Sequence, residues 1–261
     1  MSDFNQDTPI LETRGLTKHY GGVHALSDAN FILQKGEHVA IMGDNGAGKS
    51  TFVRQLTGVE QPTRGQIVFD GQEQRFANPI EAREAGIETV FQNLALADDL
   101  DVPSNLFLGR EKFLFKLGPF SILDKKAMRD ATIAALVKTG VKIPNLMNTI
   151  RNMSGGQRQC VAIARTAAFK SKLVIMDEPT AALGVQETAQ VENIIRTLKE
   201  AGEPLILISH NMRQVFDLVD RIVVFRRGRI VANLRKEETN GQDVVSYITG
   251  AKTGAEYEGA A

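Results

Sequence analysis

The chain has 261 residues, 31 basic and 31 acidic side chains, and a single cysteine. Its 43% hydrophobic content allows a proper core in one large or two small domains. Zero net charge provides no general attraction to nucleic acid, and one cysteine excludes an intrachain disulfide. The N-terminus lacks a secretory pattern, and no apolar stretch approaches the roughly 18 residues that cross a bilayer. Composition therefore predicts a soluble cytoplasmic protein that binds no nucleic acid and in which Cys160 is buried and unreactive.

Short strand-like segments dominate the first part of the chain. Residues 1–9 are polar and predict a flexible tail. Residues 10–35 are strand-like and broken by glycine turns, and a further strand ends in the Asp-Gly turn at residues 70–71. These segments predict an antiparallel sheet wrapped around the loop that follows Met42.

That loop is rich in glycine and lies between an apolar run, residues 39–42, and an amphipathic one, residues 52–56. Glycines let the backbone curl with its N–H groups inward, as an anion-binding nest, and the next helix aims its positive end there. Lys49 can then reach the β- and γ-phosphates, while the Ser50 hydroxyl can bind Mg²⁺. A turn that binds nothing does not need these residues at this spacing. We therefore predict a nucleoside triphosphate site formed by Gly43, Asp44, Asn45, Gly46, Ala47, Gly48, Lys49, Ser50 and Thr51.

The middle of the chain changes character. Residues 79–85 predict a short helix, and residues 87–91 a strand that stops at Gln92. Helix formers dominate from there on, and one helix is expected over residues 124–139, with the apolar residues Met128, Ile133, Leu136 and Val137. We expect a helical subdomain over about 93–152, inserted in a single domain that spans residues 10–250.

Helices and strands alternate in the rest of the chain. Helices are expected at residues 155–169, 185–200, 212–218 and 241–248. Strands are expected at residues 173–176, 205–209, 222–225 and 229–234. Such alternation predicts a mostly parallel sheet. Residues 251–261 are rich in Gly and Ala and predict a second flexible tail.

Two carboxylates, Asp177 and Glu178, end the apolar strand at residues 173–176. Ligands of parallel sheets bind at the carboxyl ends of the strands, so both carboxylates are expected beside the glycine loop. Adjacent strand residues point to opposite sides, which predicts separate roles. Asp177 suits the Mg²⁺ shell, and Glu178 suits activation of an attacking water. Alone, such a pair is more often a helix cap or a solvated turn, and only the glycine loop favours the functional interpretation.

A second helix start without bulky side chains follows Met153. Ser154 is a good N-cap, and Gly155 and Gly156 leave the first helical N–H groups sterically bare. A bare helix start is an anion site, although an isolated pentapeptide of this kind is usually just a capped helix.

With these motifs in place, the chain resembles the ATP-binding cassette ATPases. The signature motif of that family is similar to Ser154, Gly155, Gly156 and Gln157, with Met153 where Leu is usual. The glycine loop, Gln92, the signature, the Asp-Glu pair and His210 follow the family's order over residues 10–250. The resemblance implies an α/β fold, namely a P-loop NTPase cassette with a mostly parallel core sheet, an antiparallel β lobe and the inserted α-helical subdomain.

The resemblance also implies roles for single residues. Members of the family hold two ATP molecules with Mg²⁺ between two cassettes, and the signature of one copy closes on nucleotide in the loop of the other. By this likeness Glu178 is the general base and His210 contacts the γ-phosphate, while Gln92 senses Mg²⁺ and the attacking water. Tyr20 stands where the family has its adenine-stacking aromatic, but it also suits an ordinary strand position.

One segment departs from the family pattern. After residues 178–180 the family commonly continues Ser-Ala-Leu-Asp and crosses to the partner cassette, whereas here Gly184 stands in place of the Asp. The run EPTAALGVQET at residues 178–188 is similar to bacterial cassettes that energise monosaccharide import. Many of those proteins fuse two cassettes, but this chain has no internal repeat. A homodimer is the simplest way to complete both sites.

The resemblance thus implies the ATP-hydrolysing subunit of a bacterial importer of fructose or of a pentose such as ribose or xylose. Implied partners are a second copy, transmembrane permease subunits that dock beside Gln92, and a periplasmic sugar-binding protein. The implied location is peripheral, at the cytoplasmic face of the inner membrane. The alternatives are another cargo, export included, and a soluble cassette ATPase acting on nucleic acid or the ribosome. A kinase or GTPase is disfavoured by Ser154 and Glu178.

Overall fold

The computed structural model describes residues 8–117, 120–169 and 171–254. Residues 1–7 and 255–261, which belong to the two predicted tails, lie outside the described residues. The strands are β1 Leu11–Tyr20, β2 Val23–Leu33, β3 His38–Gly43, β4 Arg64–Phe69, β5 Gln72–Gln74, β6 Ile87–Val90, β7 Phe113–Leu117, β8 Phe120–Leu123, β9 Leu173–Asp177, β10 Leu205–Ile208, β11 Arg221–Arg226 and β12 Arg229–Arg235. The α-helices are α1 Lys49–Leu56, α2 Pro79–Ala85, α3 Val102–Leu106, α4 Lys125–Thr139, α5 Gly155–Ala167, α6 Val185–Glu200, α7 Met212–Leu218 and α8 Gly241–Thr249.

Contacts divide the chain into two units. The first contains the described residues of Met1–Thr89, Lys172–Asp177 and Lys199–Ala261, and the second contains those of Val90–Ser171 and Glu178–Leu198. Each unit has its own buried apolar cluster. Across the described ranges of both units, no helix is long and apolar enough to cross a bilayer.

A six-stranded sheet forms the centre of the first unit. Its strand order is β12-β11-β3-β10-β9-β6. Parallel pairing joins β11 to β3, β3 to β10 and β10 to β9. The apolar residues of β9 and β10 are all buried, as expected for strands covered on both faces. The predicted mostly parallel sheet is therefore confirmed, with β3 in its interior and β12 as an antiparallel edge.

An antiparallel sheet of order β2-β1-β4-β5 forms the predicted β lobe of the same unit. Asp70 and Gly71 connect β4 to β5 with positive φ angles of 50° and 75°, the geometry that an Asp-Gly hairpin turn requires. The backbone N–H of Ser27, in β2, donates to the carbonyl of Gly228 at 2.7 Å. This bond joins the lobe to the turn between β11 and β12.

Three helices, α3, α4 and α5, pack together in the second unit. At their centre the buried amide of Asn105 donates to the carbonyls of Ala97 at 3.0 Å, Leu100 at 3.2 Å and Asp101 at 3.0 Å. Its oxygen accepts the Ala97 N–H at 2.7 Å. One polar side chain thus satisfies a loop that would otherwise bury unpaired backbone groups.

The inserted subdomain also contains a hairpin that the sequence pattern did not predict. Strands β7 and β8 pair with Phe113 opposite Leu123 and Phe115 opposite Ile122. Aromatic and branched residues favour strands, and the Gly-Pro sequence at residues 118–119 disfavours a continuous helix. Helix formers on either side of this short segment masked its strand propensity.

Helix α4 has the predicted bounds, but of its four predicted apolar residues only Met128 and Leu136 are buried. Asp124 caps it by accepting the Ala127 N–H at 2.8 Å, and Gly140 ends it at φ 67°. Ile133 and Val137, which we predicted to lie on the apolar side, are 43% and 76% exposed. The buried residues are Met128, Thr132, Ala135, Leu136 and Thr139. The two threonines are tolerated there because their hydroxyls donate to carbonyls of the preceding turn.

His38, at the start of β3, makes stability depend on pH. Its buried Nε2 lies 2.9 Å from the Glu203 carbonyl oxygen, and burial lowers the pKa of His38 from 6.5 to about 4. The unfolded chain therefore binds this proton near its ordinary pKa, whereas the folded chain binds it only near pH 4. We expect the free energy of unfolding to fall by on the order of 3 kcal/mol as the pH drops through this interval.

Urea unfolding of the wild type and of His38→Gln between pH 7 and pH 4 measures this contribution. The variant should show the shallower dependence of unfolding free energy on pH, whatever its absolute stability. Equal slopes in the two proteins would contradict the assignment to His38.

Candidate nucleotide site

The glycine loop between β3 and α1 is shaped by close backbone contacts. Gly43, Gly46 and Gly48 have φ angles of 151°, 76° and 106°, in the region that L side chains rarely adopt. A Cβ on Gly43 would lie 2.3 Å from the Phe225 carbonyl oxygen, and one on Gly48 would lie 2.8 Å from that of Ala25. No described atom lies within 4 Å of a Cβ on Gly46. Packing therefore requires glycine at residues 43 and 48, and conformation alone favours it at residue 46.

The tip of the loop is a tight turn. The N–H groups of Asn45 and Ala47 donate to the Oδ1 and the carbonyl of Asp44, at 2.8 and 3.1 Å. The Ala47 carbonyl accepts the N–H of Gly228 at 2.9 Å, which fastens the loop to the turn between β11 and β12. Among the described residues, no side chain caps α1 at Gly48. The start of α1 therefore presents backbone N–H groups without a competing side-chain oxygen.

Lys49 bends back over this loop. Its ammonium donates to the carbonyls of Gly43 at 2.7 Å and Asp44 at 3.0 Å. The neighbouring Ser50 is exposed on the first turn of α1, and Thr51 follows it, half-buried. A cation thus lies over the glycine loop and an exposed hydroxyl residue follows it on α1, and both residue types suit a polyphosphate.

The register of the sheet brings two more predicted residues to the same edge. Ile208, the last residue of β10, pairs with Ile41 of β3 and with Asp177 of β9. Asp177 therefore ends a strand that lies two strands, or about 10 Å, from β3. His210 is exposed two residues beyond β10, the strand between them. The first unit thus gathers the loop, Asp177 and His210 at the carboxyl edge of its sheet.

The turn that bears His210 is held by side-chain bonds. The buried Ser209 hydroxyl accepts the Asn211 N–H at 3.1 Å and donates to Gln214 Oε1, also at 3.1 Å. Asn211 in turn caps α7 by accepting the Gln214 N–H at 3.2 Å. These bonds fix the backbone on which His210 is displayed.

Tyr20 ends β1 and is linked to α1 through one carboxylate. Its hydroxyl donates to Glu60, which also pairs with Arg54 of α1 at 3.3 Å. Burial and then the Glu60 carboxylate raise the pKa of Tyr20, so the phenol stays protonated. The side chain remains 42% exposed, with the Lys18 ammonium 5.3 Å from the ring centroid. Sequence reasoning placed Tyr20 here but had no signal for Glu60, which lies 40 residues away.

The signature residues lie in the second unit, at the start of α5. Ser154 and Gln157 form a capping box, with N–H to oxygen distances of 3.0 and 3.2 Å. No described atom lies within 4 Å of a Cβ on Gly155, whereas a Cβ on Gly156 would lie 1.9 Å from Cγ of Glu187. The prediction that both glycines leave the helix start bare is therefore wrong for Gly156, which is glycine because Glu187 packs against it. Nothing in the sequence pattern indicated that contact.

Glu178 lies beyond the strand rather than in it. Asp177 is the last residue of β9, and Glu178 turns away with φ 50°, directly before Pro179. The two carboxylates are separated by this turn, so the alternation of side chains along a strand was the wrong reason for giving them different roles. A non-glycine residue in this conformation costs about 1–3 kcal/mol, and such residues cluster at functional sites.

Gln92 is exposed two residues beyond β6. It belongs to the second unit, together with the signature residues and Glu178, whereas Tyr20, the glycine loop, Asp177 and His210 belong to the first.

The family model described as ABC transporter matches residues 26–181, more than half of the chain. The chain belongs to the ABC transporter family. It is 47% identical over 249 residues to the fructose import ATP-binding protein FrcA of Rhizobium meliloti, covering 94% of this chain and 95% of the relative. It is 42% identical to the xylose/arabinose import ATP-binding protein XylG of Sulfolobus acidocaldarius, covering 92% and 94% of the two chains.

A third ABC relative is longer. The ribose import ATP-binding protein RbsA 2 of Streptomyces avermitilis is 35% identical over 93% of this chain, which spans 47% of that protein. The chain thus corresponds to about half of the ribose relative and to nearly all of the fructose and xylose/arabinose relatives.

Solved ABC structures share the fold. CbiO1 from Clostridium perfringens, part of the ABC transporter complex CbiONQ, superposes with a TM-score of 0.76 and 27% identity, covering 94% of this chain and 96% of that one. A dimeric ATP-binding cassette with bound ADP and Pi, at 23% identity and a TM-score of 0.73, covers 87% and 98%. These likenesses confirm the predicted P-loop cassette fold.

Substitution of the loop glycines separates packing from conformation. We expect Gly48→Ala to lower the free energy of unfolding by about 3 kcal/mol, because it adds a clash with the Ala25 carbonyl to the strain of a positive φ. Gly46→Ala, with strain but no clash, should cost about 1 kcal/mol. Denaturant unfolding of both variants measures the difference, and equal costs would contradict the packing argument.

Proposed function

We propose that this chain is the ATP-hydrolysing subunit of a bacterial ABC importer that takes up a monosaccharide, either fructose or a pentose such as ribose or xylose. The observation that carries the proposal is the 47% identity to a fructose import ATP-binding protein over 95% of that protein. Relatives whose names state xylose/arabinose and ribose import support the broader class of cargo.

ATP binding is supported by the geometry of the first unit. The nest of Gly43, Gly46 and Gly48 and the ammonium of Lys49 suit the phosphates. Tyr20 ends β1, and its hydroxyl is linked to α1 through Glu60 and Arg54. Its exposed ring suits stacking on the base.

The residues present also fit Mg²⁺. The Ser50 hydroxyl and the Asp177 carboxylate are oxygen donors, and Mg²⁺ needs only one or two protein ligands when phosphates and waters complete its shell. Within the described ranges, no cluster of three or more His, Cys, Asp or Glu side chains offers a richer site. Bound Mg²⁺ supplies charge that neutralises the β- and γ-phosphate oxygens.

The proposed hydrolysis divides the remaining roles among three side chains. Glu178 takes a proton from the attacking water, whose oxygen bonds to the γ-phosphorus as the bond to the β-phosphate oxygen breaks, giving ADP and phosphate. His210 contacts the γ-phosphate, and Gln92 positions the water and the Mg²⁺ shell. The strained backbone at Glu178 suits a residue held for chemistry rather than for stability.

The proposed assembly is a homodimer in which residues Ser154, Gly155, Gly156 and Gln157 of one copy close on the nucleotide of the other. The bare start of α5 at Gly155 suits a phosphate from outside the chain. Permease subunits docked beside Gln92, a periplasmic sugar-binding protein and a peripheral location at the inner membrane complete the proposal.

Replacement of the general base tests the chemistry. Glu178→Gln should lower kcat for ATP hydrolysis by at least about 100-fold, because the amide cannot accept the proton. Binding of ATP should persist, and an ATP-bound dimer should accumulate in analytical ultracentrifugation. Lys49→Ala is the matched control, which should lose both nucleotide affinity and dimer. Persistent hydrolysis in Glu178→Gln without a trapped dimer would contradict the mechanism.

The cargo is tested on the native membrane complex. We expect its ATPase to be stimulated by a binding protein loaded with fructose, ribose or xylose, and not by the same protein without sugar. If no monosaccharide stimulates it, the cargo proposal is wrong. Recovery of the native chain with nucleic acid or ribosomes instead of membranes would favour a cassette ATPase outside transport.

A further inference from the structure

Glu187, in the first turn of α6, occupies space beside two glycines that lie far apart in the sequence. A Cβ on Gly156, in α5, would lie 1.9 Å from its Cγ and 2.6 Å from its Cβ. A Cβ on Gly184, just before α6, would lie 2.5 Å from its Oε2. One side chain therefore fills the space that side chains at residues 156 and 184 would take. All three residues belong to the second unit.

The segment beside Glu187 is exposed and strained. Ala182 has φ 61°, which is unfavourable for a residue with a side chain, and it lies exposed together with Gly184. Val185, an apolar residue at the end of this segment, is 88% exposed. Its short-range backbone bonds include those from Ala181 N–H to the Glu178 carbonyl at 3.1 Å and from Leu183 N–H to the Thr180 carbonyl at 3.3 Å. A strained backbone of this kind persists when neighbouring groups fix it.

A simpler explanation is that Glu187 only caps its own helix. It stands three residues after Gly184, where a glutamate can reach back to the first residues of its helix. Local capping explains a contact with Gly184. It does not explain why Gly156, on a different helix, has no room for a side chain.

We propose that Glu187 is a positioning residue that holds residues 180–184 against the first turn of α5 and supplies the carboxylate that residue 184 lacks. The inference rests on the proposed dimer, in which this segment and the start of α5 face the second copy. An aspartate at residue 184 would place its carboxyl carbon about 1.5 Å beyond Cβ, in space next to Glu187 Oε2. A carboxylate at residue 184 and one at residue 187 would therefore occupy the same space, and in this chain Glu187 occupies it.

The contact of Glu187 with α5 is tested without nucleotide, through the single cysteine. Burial and then the Glu187 carboxylate raise the pKa of Cys160 to about 11. Glu187→Gln should lower that pKa, seen as a shift of the pH titration profile of the NMR signal from ¹³C-labelled Cys160 in the full-length protein, which needs no reagent to reach the buried thiol. Glu200→Gln, at the exposed end of the same helix, is the matched control and should leave the profile unchanged. An unshifted profile in Glu187→Gln would overturn the contact.

The role toward the second copy is tested by moving the carboxylate. Glu187→Ala and Gly184→Asp should each weaken the ATP-dependent dimer by at least about tenfold, the first by removing the carboxylate and the second by crowding two into one position. The double variant Gly184→Asp/Glu187→Ala should recover to within about threefold of the wild type. The ATP affinity of each variant monomer should stay at the wild-type value. Thermal melts verify that the variants fold. An aspartate at residue 184 is a good N-cap for α6, so the substitution itself should not prevent folding.

The outcomes separate this inference from the proposed function. Wild-type dimerisation in Glu187→Ala, or a double variant weaker than either single one, overturns the inference and leaves the proposed function intact. If the wild type itself forms no ATP-dependent dimer, the proposed assembly fails together with the partner-facing role, and the Cys160 profile still decides whether Glu187 packs on α5.

Discussion

The first unit depends on how closely its glycine loop approaches neighbouring backbone. At Gly43 and Gly48 the loop leaves no room for a Cβ beside the carbonyls of Phe225 and Ala25, which belong to β11 and β2. A bond from Gly228 to Ala47 adds a third attachment. Because β3 lies inside the sheet, the loop is held by parallel strands on one side and by the β lobe on the other.

In the second unit, the start of the signature helix α5 also depends on a close approach to a glycine. Gly156 is glycine because the side chain of Glu187 lies against it, while Gly155, the adjacent residue, faces open space. Two glycines of one motif therefore have different physical reasons. One allows internal packing, and the other leaves the start of the helix open beside it.

Local chemistry explains which elements could be predicted. The bounds of α2, α6 and α7 agree with the sequence because Pro79 suits the first turn of α2 and Asn211 caps α7, while α6 has a regular apolar spacing. The β7–β8 hairpin was missed because helix formers flank a short strand-forming run. The buried face of α4 was predicted only in part, at Met128 and Leu136, because threonines at residues 132 and 139 satisfy their hydroxyls within the helix and pack as apolar residues do.

The sequence by itself determined the family, the glycine loop, the order of the motifs and the acidic pair of which Asp177 ends β9 and Glu178 follows it, since each depends on residue types at short spacing. Only the tertiary structure decided that Glu60 links Tyr20 to α1, that burial lowers the pKa of His38 and that Glu187 packs against Gly156. The physical reason is the separation along the sequence of the residues that form each feature. A cap or a turn is formed by residues a few positions apart, whereas the space beside a glycine or a buried imidazole is filled by whichever distant side chain the fold brings there.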